Sequence, residues 1–407
     1  MIVKKTLVKN VMIEKGYVFN ELGDVTATET DMADLILSDG RIEEIVPAGS
    51  EVFEDYELFD AEGALALPSF AEMHIHLDKT YYGGKWKAPT KAKSIFTRIE
   101  EEKTLLLEQL PSVQERAEKL LELELMNGTG FVRTHCNVDQ VIGVKHIELI
   151  QQAFKSYENK LEGEIVAFPQ HGLLRSSSVE LVKEAMRNGA QFVGGVDPAT
   201  VDEDIEKSLS AMVEIAVEYK AGIDLHLHDR GHLGIYTIKR LLSMLEDAKF
   251  KKPVTISHAF GLAALSEGEA RELALRFAEL GVSLASTVPL DFKMPLALMK
   301  AHGVNVYLGN DSITDHWDPF GTGDMLEKAN VLSQVNRWKD ELALSQSLGY
   351  ITKGITPLSK EGEQLWPKPG ARADFLLTEA SCSAESVARR TKRKAVFFRG
   401  KAVYETE

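Results

Sequence analysis

Between residues 65 and 311, strand-like segments alternate with helical segments so regularly that few folds can accommodate the chain. The helical segments carry apolar residues at i, i+3 and i+4, as helices packed on a sheet do. The strand-like segments comprise residues 65–76, 131–138, 164–171, 192–197, 222–229, 254–260, 282–288 and 304–311. This pattern predicts an α/β fold, specifically a (β/α)8 TIM-type barrel. A doubly wound open sheet is the alternative, but it rarely needs eight strands in unbroken alternation.

The two ends of the chain follow a different pattern. Short β-type runs separated by turn sequences occupy residues 6–12, 33–36 and 42–46, and similar runs return at 373–377 and 395–404. We therefore predict a small β-sandwich domain formed from both termini, with residues 1–64 and 360–407. The barrel domain would then span residues 65–359.

Composition narrows the possible partners and the location. The formal net charge of -15 argues against nucleic acid and against an anionic membrane surface, which attract clustered Lys and Arg. The chain has two cysteines, no run of 18 apolar residues, and no secretory pattern in its opening M-I-V-K-K-T-L-V-K-N. We expect a soluble cytoplasmic protein that binds a small molecule. Its oligomeric state is left open, with a homo-oligomer as one option.

Polar residues collect where the predicted strands end, which is where barrels of this kind place their active sites. Asp311 ends the eighth strand, and seven of the eleven histidines lie at five other strand ends. These histidines are His74, His76, His135, His171, His226, His228 and His258. Chance would not place them so, and we expect one site at the barrel mouth. Within it, His135 and His171 either orient metal ligands or line the rim.

His74 and His76 form a His-x-His pair on the first strand. Side chains alternate along a strand, so both imidazoles share a face and can bind Zn²⁺ or Fe²⁺ together. A polar barrel mouth without a metal is the alternative for such a short motif. His226 and Asp311 favour the metal, because three histidines and one aspartate leave a coordination position for water. We therefore predict one divalent ion, Zn²⁺ or Fe²⁺, on these four residues.

Other polar residues at the mouth carry weaker signals. His258 alone would be interpreted as a core histidine, but its neighbours favour a role near the attacking water. The amide of Gln170 can bind a ring carbonyl and an N–H together, and a loop contact is nearly as good an interpretation. For Lys79 and Trp317 the ordinary interpretations are a surface lysine and a packed loop tryptophan. The Lys- and Gly-rich loop of residues 81–97 is expected to close over the site.

The motifs at these strand ends resemble those of a known family. In chain order they are P-S-F-A-E-M-H-I-H-L-D-K, V-R-T-H, I-V-A-F-P-Q, I-D-L-H-L-H-D, V-T-I-S-H and L-G-N-D-S-I-T-D-H-W-D-P-F-G-T-G-D-M. Over nearly its whole length the chain resembles the amidohydrolase superfamily and, within it, the cytosine deaminase branch. The His-x-His element is common to many subgroups, whereas F-P-Q and D-x-W-D-P-F-G-T-G are much more specific to this branch.

The resemblance implies a role for several residues. It implies the four metal ligands predicted above and a mononuclear site, because the fourth strand, F-V-G-G-V-D-P, has no lysine to bridge two ions. It also implies that Gln170 holds the substrate ring. His258 would contact the attacking hydroxide or the developing oxyanion. As our own mechanistic hypothesis, Asp311 is a ligand close to the metal-bound water and accepts its proton.

One segment departs from the family pattern. Cytosine deaminases carry H-C-D-E on the fifth strand, and their final Glu shuttles a proton to the ring and the leaving group. This chain has H-L-H-D, with His228 in place of the Asp and the shorter Asp229 in place of the Glu. Either residue can be the proton donor here. The H-L-D-K tetrad with Lys79, together with Trp317, is similar to the N-isopropylammelide amidohydrolases, which cleave an alkylamine from a triazine ring.

These features predict a metal-dependent deaminase, or aminohydrolase, that removes ammonia or an amine from an amino-substituted nitrogen heterocycle such as cytosine. The predicted catalytic residues are Asp311, His258 and Asp229, and the predicted substrate-binding residues are Gln170, Lys79, His228 and Trp317. One alternative is hydrolysis of a cyclic amide or of an N-alkylamino-triazine-like C–N bond. The other is a non-catalytic barrel with an assembly or binding role, which would be expected to lack one or more of the ligands.

Overall fold

The computed structural model describes residues 5–51 and 56–406. Residues 1–4, 52–55 and 407 lie outside the described residues. They include the first four residues of the opening segment on which the secretory prediction depends. All of them belong to the predicted small domain. Within the described ranges, no helix combines the length and the apolar character needed to cross a membrane.

The amino-terminal residues form five strands of 4 to 14 residues. The strands are β1 (Thr6–Phe19), β2 (Val25–Ser38), β3 (Arg41–Pro47), β4 (Glu57–Asp60) and β5 (Leu65–Pro68). β1 pairs antiparallel with β2 and β2 with β3, with register shifts within both pairs, while β4 and β5 run parallel to β1. Val8, Val11 and Leu35 are buried together on one face of this sheet. Val8 and Val11 are three residues apart and share that face because the register of β1 shifts between them.

The next eight strands are parallel and lie in chain order. They are β6 (Phe70–Ile75), β7 (Thr129–Asn137), β8 (Glu162–Phe168), β9 (Phe192–Val196), β10 (Gly222–His226), β11 (Val254–Ser257), β12 (Val282–Ser286) and β13 (Val306–Leu308). The sheet closes where Ile75 bridges to Asp311. There the His76 N–H donates to the Asp311 carbonyl at 3.0 Å, and the Asp311 N–H donates to the His74 carbonyl at 2.7 Å. The predicted barrel is confirmed.

The carboxyl-terminal strands complete the first sheet. β14 (Phe375–Thr378) pairs antiparallel with β5, and β15 (Arg393–Phe398) and β16 (Lys401–Glu405) extend the sheet beyond it. Both termini therefore build the small β domain, and its strands form one hydrogen-bonded sheet. The predicted strand 65–76 is two strands, because β5 joins this sheet and only β6 joins the barrel. The division into residues 1–64 with 360–407 and residues 65–359 stays a prediction.

Helices occupy most of the segments that connect the barrel strands. They are α1 (Ile95–Gln109), α2 (Val113–Met126), α3 (Lys145–Ser156), α4 (Val179–Arg187), α5 (Ile205–Tyr219), α6 (Gly231–Asp247), α7 (Glu267–Leu280), α8 (Leu296–Ala301), α9 (Met325–Asn336), α10 (Glu341–Ser347) and α11 (Ser383–Arg389). The helical segments predicted from the sequence are residues 112–126, 179–188, 202–219, 235–247, 267–280 and 295–301, and they match α2 and α4 to α8 closely. α1 and α3 were not predicted, and α1 begins inside the segment 81–97 interpreted as a loop.

Several barrel strands end earlier than predicted, and this places the polar residues on loops. β8 ends at Phe168, β10 at His226 and β11 at Ser257. Gln170, Asp229 and His258 therefore follow their strands. Loops at the carboxyl ends of barrel strands all open on the same face of the molecule.

Candidate metal centre and substrate site

Imidazole nitrogens and one carboxylate meet at the carboxyl end of the barrel. Asp311 Oδ1 lies 3.3 Å from His74 Nε2 and 3.2 Å from His76 Nε2. His226 Nε2 lies 3.4 Å from His76 Nε2, and His258 Nε2 lies 3.9 Å from Asp311 Oδ2. Ligand atoms of His74, His226, His258 and Asp311 all fall within 4.8 Å of one another. The four predicted ligands and His258 thus form one group, the acceptor cluster.

Hydrogen bonds to Nδ1 fix the tautomers of two of the predicted ligands, His74 and His76. His76 Nδ1 is 3.1 Å from the carbonyl oxygen of His135, which can only accept, so Nδ1 carries the proton. His74 Nδ1 is 2.8 Å from Ser257 Oγ, and that hydroxyl donates its own proton to Asp224 Oδ1 at 2.6 Å. His74 Nδ1 is therefore also the protonated nitrogen. In both rings the Nε2 lone pair faces Asp311, as it does in metal-binding histidines.

Three histidines of the acceptor cluster, His76, His226 and His258, are held in the neutral form. Burial lowers the pKa of His76 and holds the pKa values of His226 and His258 well below their usual range. Burial opposes ionisation of Asp311, yet the surrounding histidines keep the pKa of its carboxyl well below the usual range. Lone pairs and a carboxylate at about 3 Å repel one another unless a cation lies between them. The residues therefore fit a divalent metal ion.

The backbone at the cluster is held in an unusual conformation. Asp311 and His258 both have φ of 65°, which is uncommon for residues other than glycine. Gly309 packs so tightly that a Cβ there would lie 2.5 Å from His74 Cβ. Such geometry costs of order 1–3 kcal/mol per residue and is concentrated at functional sites. It keeps the Asp311 carboxylate against the two histidines of β6.

A second group, the Glu102 cluster, lies among neighbouring loops. The Glu102 carboxylate, on α1, is fully buried and accepts from His316 Nε2 at 2.7 Å, Trp317 Nε1 at 2.8 Å and His171 Nε2 at 2.9 Å. Asn137 Nδ2 donates at 3.3 Å. Lys79 Nζ lies 3.7 Å away. Burial opposes the charge, but Lys79 and these donors hold the pKa of Glu102 well below its usual range.

Lys79 and Gln170 are joined to each other. Lys79 is 1% exposed and donates from Nζ to Gln170 Oε1 at 2.9 Å. The ammonium also lies 5.3 Å from the Trp317 ring centroid and 5.9 Å from that of Phe168. Phe168 in turn stacks on His226 with centroids 3.9 Å apart. The predicted substrate residues Lys79, Gln170 and Trp317 therefore lie together, one aromatic ring away from a predicted metal ligand.

The other two predicted residues lie on the loop after β10. Asp197 Oδ2 is 2.8 Å from His228 Nδ1, and this carboxylate raises the pKa of His228 although burial opposes the charge. Asp229 Oδ1 accepts from the Thr200 hydroxyl. Its Oδ2 has no hydrogen-bond partner among the described residues, and burial raises the pKa of the carboxyl. His228 stacks near His258, with ring centroids 4.3 Å apart.

Sequence reasoning missed several residues that hold the site. Glu102, Asp197, Thr200, Ser257 and Asp224 were not proposed for any role. A signal for Glu102 does exist, because Ile99 and Leu106 place it on the buried face of an i, i+3, i+7 pattern. His135 lies 4.2 Å from His74 between ring centroids, behind the ligands. His171 bonds Glu102 and not a metal ligand.

A parallel barrel with this histidine–aspartate group defines a class of metal-dependent barrel hydrolases. The chain belongs to the amidohydrolase family, whose model matches residues 103–404. The resemblance found in the sequence is thereby confirmed. The chain is accordingly a hydrolase that acts on carbon–nitrogen bonds.

Individual relatives support this assignment. The chain is 43% identical to the uncharacterized protein YahJ of Escherichia coli (strain K12), over 97% of this chain and 86% of that protein. The structure of N-isopropylammelide isopropylaminohydrolase from Burkholderia multivorans ATCC 17616 superposes with a TM-score of 0.87 at 32% identity, covering 99% of each chain. Liganded 5-methylcytosine deaminase from Klebsiella pneumoniae has the same fold, with a TM-score of 0.79 at 21% identity, over 99% of this chain and 98% of that one.

Proposed function

We propose that the protein is an aminohydrolase that removes ammonia or an amine from an amino-substituted nitrogen heterocycle. The proposal includes one divalent ion, Zn²⁺ or Fe²⁺, bound by His74, His76, His226 and Asp311. The observation that carries it is the acceptor cluster, whose inward lone pairs face a carboxylate at 3.2–3.3 Å. We also propose a cytoplasmic location and no nucleic-acid partner. A homo-oligomer is one option for the oligomeric state.

Different residues around the cluster accept and donate the protons that the reaction moves. A divalent ion held by His74, His76, His226 and Asp311 would lower the pKa of a water toward neutrality. The ionised carboxylate of Asp311 would be the group that accepts the proton of the attacking water. Neutral His258, with both ring nitrogens unpartnered among the described residues, is free to donate to the oxygen that adds to the ring.

Asp229 is the proposed acid for the leaving amine. Burial raises the pKa of this carboxyl, which favours the protonated form that a general acid needs. Its Oδ1 is held by Thr200, so Oδ2 remains for the substrate. His228 is held by Asp197 at 2.8 Å and is the alternative donor.

The relatives favour two leaving groups. The relative of known structure at 32% identity is named for removal of isopropylamine, which supports an alkylamine as the leaving group. A pterin deaminase of Rhizobium rhizogenes, 24% identical, supports ammonia. Release of an alkylamine and release of ammonia would use the same residues. The two reactions differ only in the group that leaves the ring carbon.

An amine-release screen tests the proposal. Enzyme loaded with Zn²⁺ or Fe²⁺ is incubated with aminopyrimidines, amino- and alkylaminotriazines, pterins and creatinine, and released ammonia and alkylamine are quantified separately. We expect turnover of at least one heterocycle, and none by the Asp311→Asn variant. Release of neither product from any of these rings by metal-loaded wild type would refute the aminohydrolase proposal.

A further inference from the structure

A cavity, here called the amino-end cavity, lies between the barrel and the sheet formed by both termini. It is lined by Phe70 at the start of β6, Phe131 near the start of β7 and Glu162 at the start of β8, together with Trp366 and Asp374 from the carboxyl-terminal part of the chain. Its volume is about 480 Å³, within the ~300–1,000 Å³ typical of small-molecule sites. The two ends of β6, a strand of 6 residues, lie about 16 Å apart. The cavity is therefore separate from the acceptor cluster, which lies at the carboxyl ends of the strands.

Lys353 brings an ammonium group to the amino-end cavity without a carboxylate to neutralise it. Its side chain is partly open to solvent, and its Nζ lies 3.0 Å from the centroid of the Phe131 ring. Among the described residues, no carboxylate forms an ion pair with this ammonium. Burial lowers the pKa of Lys353 to about 8, and the charges of Glu164 and Arg133 act on it in opposite directions. The ammonium is therefore poorly solvated and available to an anion.

The acids that line the amino-end cavity already have partners. Glu162 Oε1 accepts from Arg372 Nη2 at 2.7 Å, and Asp374 Oδ2 accepts from Arg372 Nε at 2.6 Å. Lys353 and Lys368 also line the cavity, and in the part of the chain that the structure describes neither has a carboxylate partner. The lining thus holds three cationic side chains and two carboxylates, in a chain whose formal net charge is -15. This local excess of positive charge favours a singly charged anion.

Apolar side chains form much of the remaining wall. Ile355 and Leu365 border the cavity and are 48% and 43% exposed. Phe131 and Trp366 add aromatic surface. Large apolar side chains that stay exposed around one concave site indicate a ligand that covers them. Together with the unpaired ammonium, this wall matches a molecule with an apolar body and one negative charge.

We propose that the amino-end cavity is a second ligand site, which binds a small carboxylate with an apolar or aromatic body. The carboxylate accepts from Lys353 Nζ, and the body packs against Ile355 and Leu365. A charge-assisted hydrogen bond is strong where water is largely excluded. A doubly charged phosphate fits less well, because Glu162 and Asp374 remain close to any bound anion. This inference goes beyond the proposed function and does not depend on it.

Calorimetric titration of the metal-loaded protein with 3-phenylpropionate tests the proposal. We expect one molecule to bind per chain. The neutral 3-phenylpropionamide lacks the charge and acetate lacks the apolar body, so each should bind about tenfold more weakly or worse. The proposal is overturned if 3-phenylpropionate does not bind at millimolar concentration, or if the amide or acetate binds equally well.

Three variants locate the bound probe. Lys353→Met keeps an apolar chain of similar length and removes the charge, so the affinity for 3-phenylpropionate should fall by about tenfold or more. Ile355→Asp places a negative charge at an exposed position, where folding tolerates it, and should also weaken binding. Lys339→Met removes an exposed cation that follows α9 and should bind the probe as wild type does. Unchanged affinity in either of the first two variants, or an equal loss in Lys339→Met, contradicts the proposal.

A carboxylate can also bind a metal ion, and Asp311→Asn separates the two locations. This variant changes the acceptor cluster and leaves the amino-end cavity intact, so it should bind 3-phenylpropionate with wild-type affinity. Loss of binding in Asp311→Asn would place the carboxylate at the metal centre and overturn the proposal. The amine-release screen reports on the other end of the barrel, so its result leaves this test unaffected.

Discussion

The acceptor cluster and the Glu102 cluster share one end of the barrel and have opposite chemistry. Around Asp311, the histidine nitrogens with assigned tautomers present lone pairs to a carboxylate. Around Glu102, every partner of the carboxylate is an N–H donor and one of them is a lysine. Both carboxylates are ionised at neutral pH, because each pKa lies well below its usual range.

The difference lies in where the compensating cation comes from. The Glu102 cluster has its cation in the chain, as Lys79, and is electrostatically complete when the protein folds. The acceptor cluster is complete only with a cation supplied from outside. Substitutions on the two sides should therefore affect different properties: activity on the Asp311 side, and stability and substrate affinity on the Glu102 side.

The largest effect is expected for Asp311→Asn, which keeps the shape and tolerates the positive φ. Turnover should fall by about 10³-fold or more with a loss of bound metal, because a ligand and the proton acceptor are removed together. The metal-free variant should unfold no more easily than metal-free wild type, since a charge facing lone pairs is lost. Kinetics, metal analysis and thermal unfolding measure these outcomes. Asp291→Asn, an exposed residue, is the control; equal effects in both would contradict the assignment.

An intermediate effect is expected for Glu102→Gln. It leaves Lys79 buried without its counter-charge and should destabilise the protein by about 3 kcal/mol with or without metal. Adding Lys79→Met should recover part of this loss, with a coupling energy of about 1 kcal/mol or more. Denaturant unfolding of both single variants and the double variant measures it. Glu100→Gln, 68% exposed on the same helix, should change stability little; if it matches Glu102→Gln, the buried pair is not the cause.

The smallest effect is expected for Trp317→Phe. The substitution removes one of several N–H donors to Glu102 and keeps a ring beside Lys79, so about 1 kcal/mol is at stake. KM should rise by less than about tenfold while kcat stays near wild type. Steady-state kinetics on the substrate found in the screen provide the measurement. A selective loss of kcat would place Trp317 with the acceptor cluster instead. Trp338→Phe is the control, because that ring follows α9 and packs near Tyr350, 6.0 Å between centroids.

The barrel and the group around Asp311 were predictable because both follow from periodicity. Alternating strands and helices define the barrel, and the strand-end rule then brings His74, His226 and Asp311 to one place. Their chemistry is local to each strand end, so no knowledge of packing was needed. The sheet formed by both termini was predictable for a similar reason, from short β-type runs such as β5 and β14.

The Glu102 cluster was not predictable in the same way. Glu102 lies in the run E-E-E-K, which has the composition of a solvated helix face. The i, i+3, i+7 pattern places Glu102 on the buried face of α1, but only the packed structure shows that its carboxylate meets residues at the ends of three separate strands. The orientation of the Gln170 amide likewise depends on Lys79, 91 residues away in the chain. Sequence spacing contains no information about such contacts.

The barrel closes at Ile75 and Asp311, so its first and last strands can pair only late in synthesis of the chain. Contacts at this seam join residues as far apart as 238 positions, as between Glu72 and Asn310. A nascent chain that has emerged only through β12 contains His74, His76 and His226 but not yet Asp311, the fourth proposed ligand. Full coordination, and the bonds between the first and last strands, therefore become available together, when the final strand docks.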